Sequence, residues 1–477
     1  MIEFIDTVLK QFKNIFSRTR SFNWFVITII GLMLCNDGIG VTSIIRELCL
    51  NPKYYESLLH FFRSRAWNIE EVTKRWTSIV KENAPISNVN GMSILIGDGV
   101  KQAKEGKKMP GVKKLHQESE NSSKAKYIFG HLFGVVSVLI GKAEKQFALP
   151  LTATIQDGVN VIRKYNDDKS VSQSHVVQVI NQAGNIAKQL GSCIVLLDRY
   201  FLSVPALKKL SEFTNEAGQN ILQIVTKAKI TCRAYLDVPA YCGKGRPRLT
   251  GASIKVKDLF TTEIDKFLTA EIYMYGKIQE VQYYCVDLLW GRKLYKKLRF
   301  VLVMAKNYKP TILVSTSFEL SAITIIELYS YRYKIEIGFK TLKSVVYGFC
   351  YHFWSKHMPK LNHYKKEKNE QAIELIADES SKKNIVSALN AIEGFVLCAC
   401  IACGILQMLS LKFSCIAEVS KTRWLRTKTN NIVSEETVAY YLRKNFYRFI
   451  YKHRNLAIIQ IIISKQHDHI DDFSKSA

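Results

Sequence analysis

The chain has 477 residues, 47% of them apolar, with 68 Lys plus Arg against 41 Asp plus Glu and a formal net charge of +27. That apolar content at this length excludes a disordered chain and allows about two to four domains around sizeable cores. The basic excess points to a polyanionic partner, nucleic acid ahead of an anionic membrane surface; Lys-rich residue usage without function is the plain alternative.

Residues 1–85 carry apolar residues at three and four spacing in segments 44–50, 54–63 and 69–80, with polar breaks at Asn51-Pro52 and residues 64–67. This predicts a helical N-terminal region, suited to DNA binding or dimerisation, or a helical cap on the next domain. The apolar run 24–35 comes after Lys10, Lys13, Arg18 and Arg20 and resembles a signal peptide only superficially, because the charged part is too long and no small-residue cleavage site succeeds it. That run and the one at 395–406 each fall short of the roughly 20 residues that span a bilayer, so both are expected to be core helices. No membrane partner and a cytoplasmic location are the resulting expectations.

From Met92 the texture changes to strands. Residues 93–97 form a buried apolar run ending at Asp98, and 128–140 and 147–155 are β-rich. Residues 171–190 have helical periodicity, and 193–197 form another buried strand ending at Asp198. Three strands, a helix and a strand open a ribonuclease-H-like mixed α/β sheet. Both aspartates are predicted at the C-terminal ends of strands, where such sheets hold ligands. Between the first two strands lies a Lys-rich stretch with Lys107, Lys108, Lys113, Lys114, Lys124 and Lys126, read as a phosphate-contacting loop beside Asp98, with a solvated charge run as the alternative.

The expected organisation is an N-terminal region at 1–85, the first part of the catalytic domain at 86–226, a β-rich insertion at 227–315, the rest of the catalytic domain at 316–355 and a helical C-terminal region at 356–477. Within the insertion, Lys244, Arg246 and Arg248 stand among Gly243, Gly245 and Pro247 as cations on a stiff turn. The C-terminal region begins with a polar connector at 360–383 and continues with a buried apolar helix at 390–411. It ends in a basic, aromatic stretch with Tyr440, Tyr441, Arg443, Lys444, Tyr447 and Arg448, which suits DNA contact and amphipathic packing equally. The eleven cysteines form no paired framework or zinc spacing; Cys398, Cys400 and Cys403 read as small apolar residues of a buried helix in a reducing compartment.

The segment from about residue 318 carries Tyr329, Arg332, Glu336 and Lys343. On one continuous helix these offsets place all four side chains within roughly 60° of one face. A carboxylate flanked by two cations and a phenol suits phosphodiester chemistry: the acid holds a divalent metal and the cations hold phosphates. Each acid also has a plain reading, Asp98 as a turn residue, Asp198 in an ion pair with Arg199, and Glu336 in an intrahelical pair with Lys340 or Arg332. Converging, Asp98, Asp198 and Glu336 would form an oxygen-only cage for two Mg2+ or Mn2+ ions, arranged for in-line displacement at phosphorus.

The motif Tyr329-x2-Arg332-x3-Glu336-x6-Lys343, in YSYRYKIEIGFKTLK, resembles the signature of DDE transposases of bacterial insertion sequences, in the insertion-sequence-four family. ILIGDGVK around Asp98 and CIVLLDRYF around Asp198 resemble that family's first two acid motifs, and HFFRSRAW and YGFCYHFW are looser similarities. The resemblance spans about residues 90–350. It implies a metal-dependent enzyme that cuts the element out at its inverted-repeat ends and joins it to target DNA, acting on double-stranded DNA as a homodimer. It also implies that Asp98, Asp198 and Glu336 bind metal while Tyr329, Arg332 and Lys343 hold phosphates. Members that form hairpins hold a flipped base on an insertion-domain Trp; Trp290 is the only Trp in this insertion. A catalytically silent DNA-binding derivative and a ribonuclease-H-like nuclease without strand transfer are the alternatives.

Overall fold

The computed structural model describes residues 1–117, 125–142, 145–164, 174–238, 243, 247–306, 308–361, 373–418 and 432–466. In chain order, the main strands are β1 (Met92–Ala103), β2 (Tyr127–Lys142), β3 (Lys145–Ile155), β4 (Cys193–Leu197), β5 (Leu222–Lys227), β6 (Lys277–Trp290), β7 (Lys296–Ala305) and β8 (Thr311–Ser315). The hydrogen-bonded order is β3-β2-β1-β4-β5-β8-β7-β6. β2 and β3 are antiparallel, whereas β4 runs parallel to both β1 and β5. The first five strands, with helix His175–Leu190 as the crossover into β4, have the ribonuclease-H-like order expected from the sequence, so the fold is mixed α/β. The strands of the β-rich segment continue this sheet, through β8 pairing antiparallel with β5.

The chain divides into two compact units. One comprises Met1–Pro85, Gly99–His175 and Glu336–Ala477; the other comprises Ile86–Asp98 and Val176–Ile335.

In the first unit, helix Glu379–Glu418 packs on β3 and on helices Thr19–Leu34, Tyr55–Arg63, Ile69–Asn83 and Glu435–Lys452. Its residues 379–414 are long and apolar enough to cross a membrane, which the dozen-residue run in the sequence did not suggest; 94% of its most apolar window is buried within the protein. Glu393 and the Gln407 amide nitrogen, both buried on it, have protein partners, whereas Gln407 Oε1 has none among the described residues. Glu393 accepts the Ile155 N–H at 2.7 Å and pairs with Arg163 at 2.9 Å, and Gln407 donates to Glu435 at 3.0 Å. Cys398, Cys400 and Cys403 are fully buried in the same helix, and burial pushes all three thiols up. The N-terminal helices are tied to this core by Trp76, whose indole N–H donates to the Pro150 carbonyl at 3.0 Å. The basic aromatic helix near the C-terminus divides its residues: Arg443 donates to the Leu34 carbonyl at 2.8 Å, whereas Lys444, Tyr447 and Arg448 are exposed.

In the second unit, helix Ala322–Ser330 packs on β5, β7, β8 and strand Leu268–Met274. Ser321 starts it, its hydroxyl accepting the Thr324 N–H at 3.1 Å, so the helix begins a turn later than the sequence suggested. Arg299 fixes the approach: it pairs with Asp287 across β6 and β7 and donates to the Phe318 and Leu320 carbonyls at 2.8 and 2.9 Å.

Two local expectations are corrected. Tyr329 to Lys343 is not one helix: a 3-10 turn, Tyr331–Tyr333, separates Ala322–Ser330 from Lys334–Ser344. The Ser330 hydroxyl bonds back to the Glu327 carbonyl at 2.6 Å, competing with regular helix continuation. The tighter turn breaks the 100° count, so Tyr329 and Arg332 are half-buried while Glu336 and Lys343 are exposed. Asp98, secondly, lies inside β1 and not at its end. Gly97 and Gly99 are not turn residues there: an added Cβ would meet Leu197 at 2.8 Å and His175 at 2.8 Å respectively, so both positions serve close packing. The parallel pairing of β1 with β4 is registered over Ser93 to Ile96 and precedes Asp98, which leaves the carboxylate at the end of that ladder.

Candidate active site

Within the second unit, the strand order sets Asp98 and Asp198 at the ends of the neighbouring parallel ladders of β1 and β4. Asp198 caps the turn Arg199–Phe201, its Oδ1 accepting the Arg199 N–H at 2.7 Å, and its carbonyl accepts the Thr226 hydroxyl at 2.9 Å. Thr226 registers opposite Leu197, so Lys227 comes next at the level of Asp198. The Lys227 ammonium is held below its usual range by burial first and then by the Arg199 charge, with Asp198 acting in the opposite sense.

The turn after helix Ala322–Ser330 delivers Arg332, whose Nη1 donates to Asp98 Oδ2 at 3.0 Å; both side chains are about one-fifth exposed. Burial pushes the Tyr329 phenol well up, with Arg332 opposing and Asp198 and Asp98 adding to the rise. Tyr329 therefore stays a neutral hydroxyl, a hydrogen-bond donor and not a nucleophile. The same electrostatic environment contains Tyr275, whose ring lies 5.6 Å from that of Tyr333. Two carboxylates, a guanidinium, an ammonium and a phenol can hold a phosphodiester and a hard cation side by side.

A model of the DDE superfamily endonucleases matches residues 11–264. The chain belongs to that family. No curated protein matches it. Among solved structures, the cryo-EM piggyBac transposase synaptic complex with hairpin DNA is similar, at 11% identity over 95% of this chain and 77% of that one, with a TM-score of 0.37. A likeness at that level supports no statement about the site.

DDE superfamily endonucleases depend on divalent metal. The match contains Asp98 and Asp198 and ends before the Tyr329 to Lys343 motif. Asp98 and Asp198 are hard oxygen donors of the kind Mg2+ and Mn2+ take. Among the described residues, however, no group of three or more His, Cys, Asp or Glu stands together as a metal cage. Glu336 and Lys343 belong to the first unit, on the helix that starts directly after the Arg332 turn.

The remaining predicted contacts are scattered. Lys107 and Lys108 are exposed in the first unit, Lys108 donating to the Lys356 carbonyl at 3.1 Å. Arg248 is exposed on a loop of the second unit. Lys244, Arg246 and Lys124 lie outside the described residues. Trp290 is half-buried at the end of β6 and its indole bonds to the Cys232 sulfur, which suits packing. Lys227, Tyr275 and Arg299 were not singled out in the sequence; for Lys227 the available signal was its position one strand beyond Asp198, at the end of the next apolar run.

Proposed function

We propose that this DDE superfamily endonuclease is a transposase of the insertion-sequence-four type, which cleaves double-stranded DNA at inverted-repeat ends and transfers the cut strand to target DNA. The observation that carries the proposal is the Arg332–Asp98 pair at 3.0 Å. It joins the Arg of the Tyr-Arg-Glu-Lys motif to the first acid motif, although 234 positions separate them in the chain.

Asp98 and Asp198 would hold the divalent cation, Mg2+ or Mn2+, with Glu336 as the third ligand. The chemistry such a cation supplies is activation of a water or a DNA 3′-hydroxyl and stabilisation of the leaving oxygen. The chain's own residues bind and orient the DNA. Arg332 and Lys227 offset phosphate charge beside the aspartates, and the Tyr329 hydroxyl donates to a phosphate oxygen. Lys343 lies two helical turns beyond Glu336 and reaches the flanking phosphate. Synapsis of two ends would require a homodimer, acting in the cytoplasm on nucleoid DNA.

A nuclease that stops at cleavage is the second reading, favoured by a family match that ends before Glu336. The deciding experiment incubates the full chain with Mg2+, a labelled duplex carrying the inverted repeat that flanks the reading frame, and a supercoiled target plasmid. Cleavage at the repeat boundary with label joined to the plasmid supports the transposase. Cleavage without joining supports the nuclease, and no cleavage overturns both.

A further inference from the structure

We propose that a cleft in the first unit, walled by residues 103–109 and by His352, Trp354 and Lys360, binds an unpaired nucleotide of the DNA substrate, its base stacked on Trp354. The inference deepens the proposed function and rests on it.

The cleft has a volume of about 720 Å³ and presents Lys104, Lys107, Lys108 and Lys360 against a single acid, Glu105. Trp354 lines it with 55% of its surface exposed, where large aromatic side chains are ordinarily covered. Exposure here is not slackness. Arg63 donates to the Trp354 carbonyl at 3.1 Å, Ser355 N–H donates to the Lys108 carbonyl at 3.1 Å, and Leu361 N–H donates to the Lys107 carbonyl at 2.8 Å. The two walls are thus fastened to each other by backbone bonds, and Trp354 stands exposed at the cleft on a backbone held at both sides.

Lys104, which lines the cleft, is anchored among buried polar groups. Lys104 Nζ lies 3.8 Å from the Tyr351 ring centre and donates to the Phe349 and Tyr351 carbonyls at 2.6 and 3.0 Å. Tyr351 in turn bonds through its hydroxyl to His131 Nδ1 at 2.6 Å, and His131 Nε2 meets the Pro110 carbonyl at 2.8 Å. The carbonyl fixes the proton on Nε2, so Nδ1 accepts from Tyr351. This network pins the segment that carries Trp354.

A rigid exposed indole within a ring of lysines matches the chemistry of an unpaired nucleotide: the ring takes the base face and the ammonium groups take the phosphates. A base inside the duplex is stacked on both sides and offers no free face to it. An acidic peptide would use the lysines and leave the indole idle.

The test measures binding of the full chain, in EDTA, to a blunt duplex, to the same duplex with a three-nucleotide 3′ tail, and to that tailed duplex with abasic tail positions. We expect the wild-type protein to prefer the tailed duplex by at least about fivefold, the lower end of what one stacked base contributes. The preference should vanish with the abasic tail and with Trp354→Ala, and return with Trp354→Phe. Circular dichroism checks that each variant is folded. If wild-type protein binds and cleaves duplex but shows no tail preference, or if Trp354→Ala keeps it, the cleft assignment is wrong and the endonuclease reading stands. If it neither binds nor cleaves any of these DNAs with Mg2+ restored, the underlying reading fails as well.

Discussion

Arg332 Nη1 and Asp98 Oδ2 stand 3.0 Å apart, an ion pair between a turn at the end of one helix and the middle of a β-strand. A charge-assisted hydrogen bond of this kind, mostly shielded from water, is worth about 1.5–3 kcal/mol. Arg332→Ala is expected to lower stability by about that amount and to cut DNA cleavage at least about tenfold. A double-mutant cycle with Asp98→Ala, read by denaturant unfolding, should give a coupling of about 1–2 kcal/mol. Zero coupling would mean that the pair does not hold in solution.

If the aspartates and Glu336 hold the metal, removing either outer member should stop chemistry without removing DNA contact. Asp198→Ala and Glu336→Ala are each expected to abolish Mg2+-dependent cleavage of an inverted-repeat duplex while duplex affinity changes less than about threefold, since lysines and arginines supply most of the binding. Normal cutting by either variant would sink the triad assignment. Chelation by EDTA should reproduce the loss in the wild-type protein, and added Mg2+ should reverse it.

How much of this was legible in the sequence depended on the range of the interaction. The apolar runs before Asp98 and Asp198 gave their strands away, because Ile94 to Ile96 and Ile194 to Leu197 are unbroken aliphatic stretches too short for a helix. The continuation of the strand through Asp98 was not legible, because Gly97 and Gly99 are compatible with turns and close packing alike, and only the positions of Leu197 and His175 distinguish the two. The break in the Tyr329 to Lys343 segment was hidden because the spacing 0, 3, 7, 14 fits a straight helix, and the 3-10 turn at Tyr331–Tyr333 is a feature of the backbone that this spacing does not register. Lys227 depends on the register of β4 with β5, and Trp354 on which aromatic residues are left uncovered by tertiary packing. Neither is a local property.

Stability should fall in mild acid because two histidines are buried as neutral rings. Burial lowers His131 to about 3 and His175 to about 4, from an ordinary 6.5. The unfolded chain therefore binds more protons between these values, so stability is complete above about pH 6.5 and is lost as pH falls toward 4. The melting temperature is expected to drop steadily from pH 7 to pH 4.5. His131→Gln should lower the neutral-pH value and flatten the slope; an unchanged slope would rule out His131 as a main source.

Packing makes a prediction independent of function. Gly404 lies in the long buried helix, and a methyl group there would meet Trp76 Cζ2 at 2.5 Å and Leu149 Cγ at 3.1 Å. Trp76 is held by its bond to Pro150 and cannot easily withdraw. Gly404→Ala would add helix propensity yet is expected to destabilise by about 1–3 kcal/mol through overpacking. Adding Trp76→Phe to that variant should recover part of the loss. Stabilisation by Gly404→Ala alone would show that the helix can shift away from β3.

The net charge of +27 is too large to be neutralised within the fold. Lys107, Lys108, Lys343, Lys444 and Arg448 are exposed, where DNA phosphates can reach them. Each phosphate neutralised on duplex DNA releases close to one condensed counterion, so the logarithm of the association constant should fall linearly with the logarithm of salt. We expect a slope of about −4 or steeper between roughly 50 and 300 mM NaCl, measured by fluorescence anisotropy on a duplex of about 20 base pairs. Lys107→Ala with Lys108→Ala should make the slope shallower by about 1 to 2, because two phosphate contacts are lost while the others stay. A slope that is shallow in the wild-type protein, or unchanged in the double variant, would show that this basic surface faces something other than the DNA backbone.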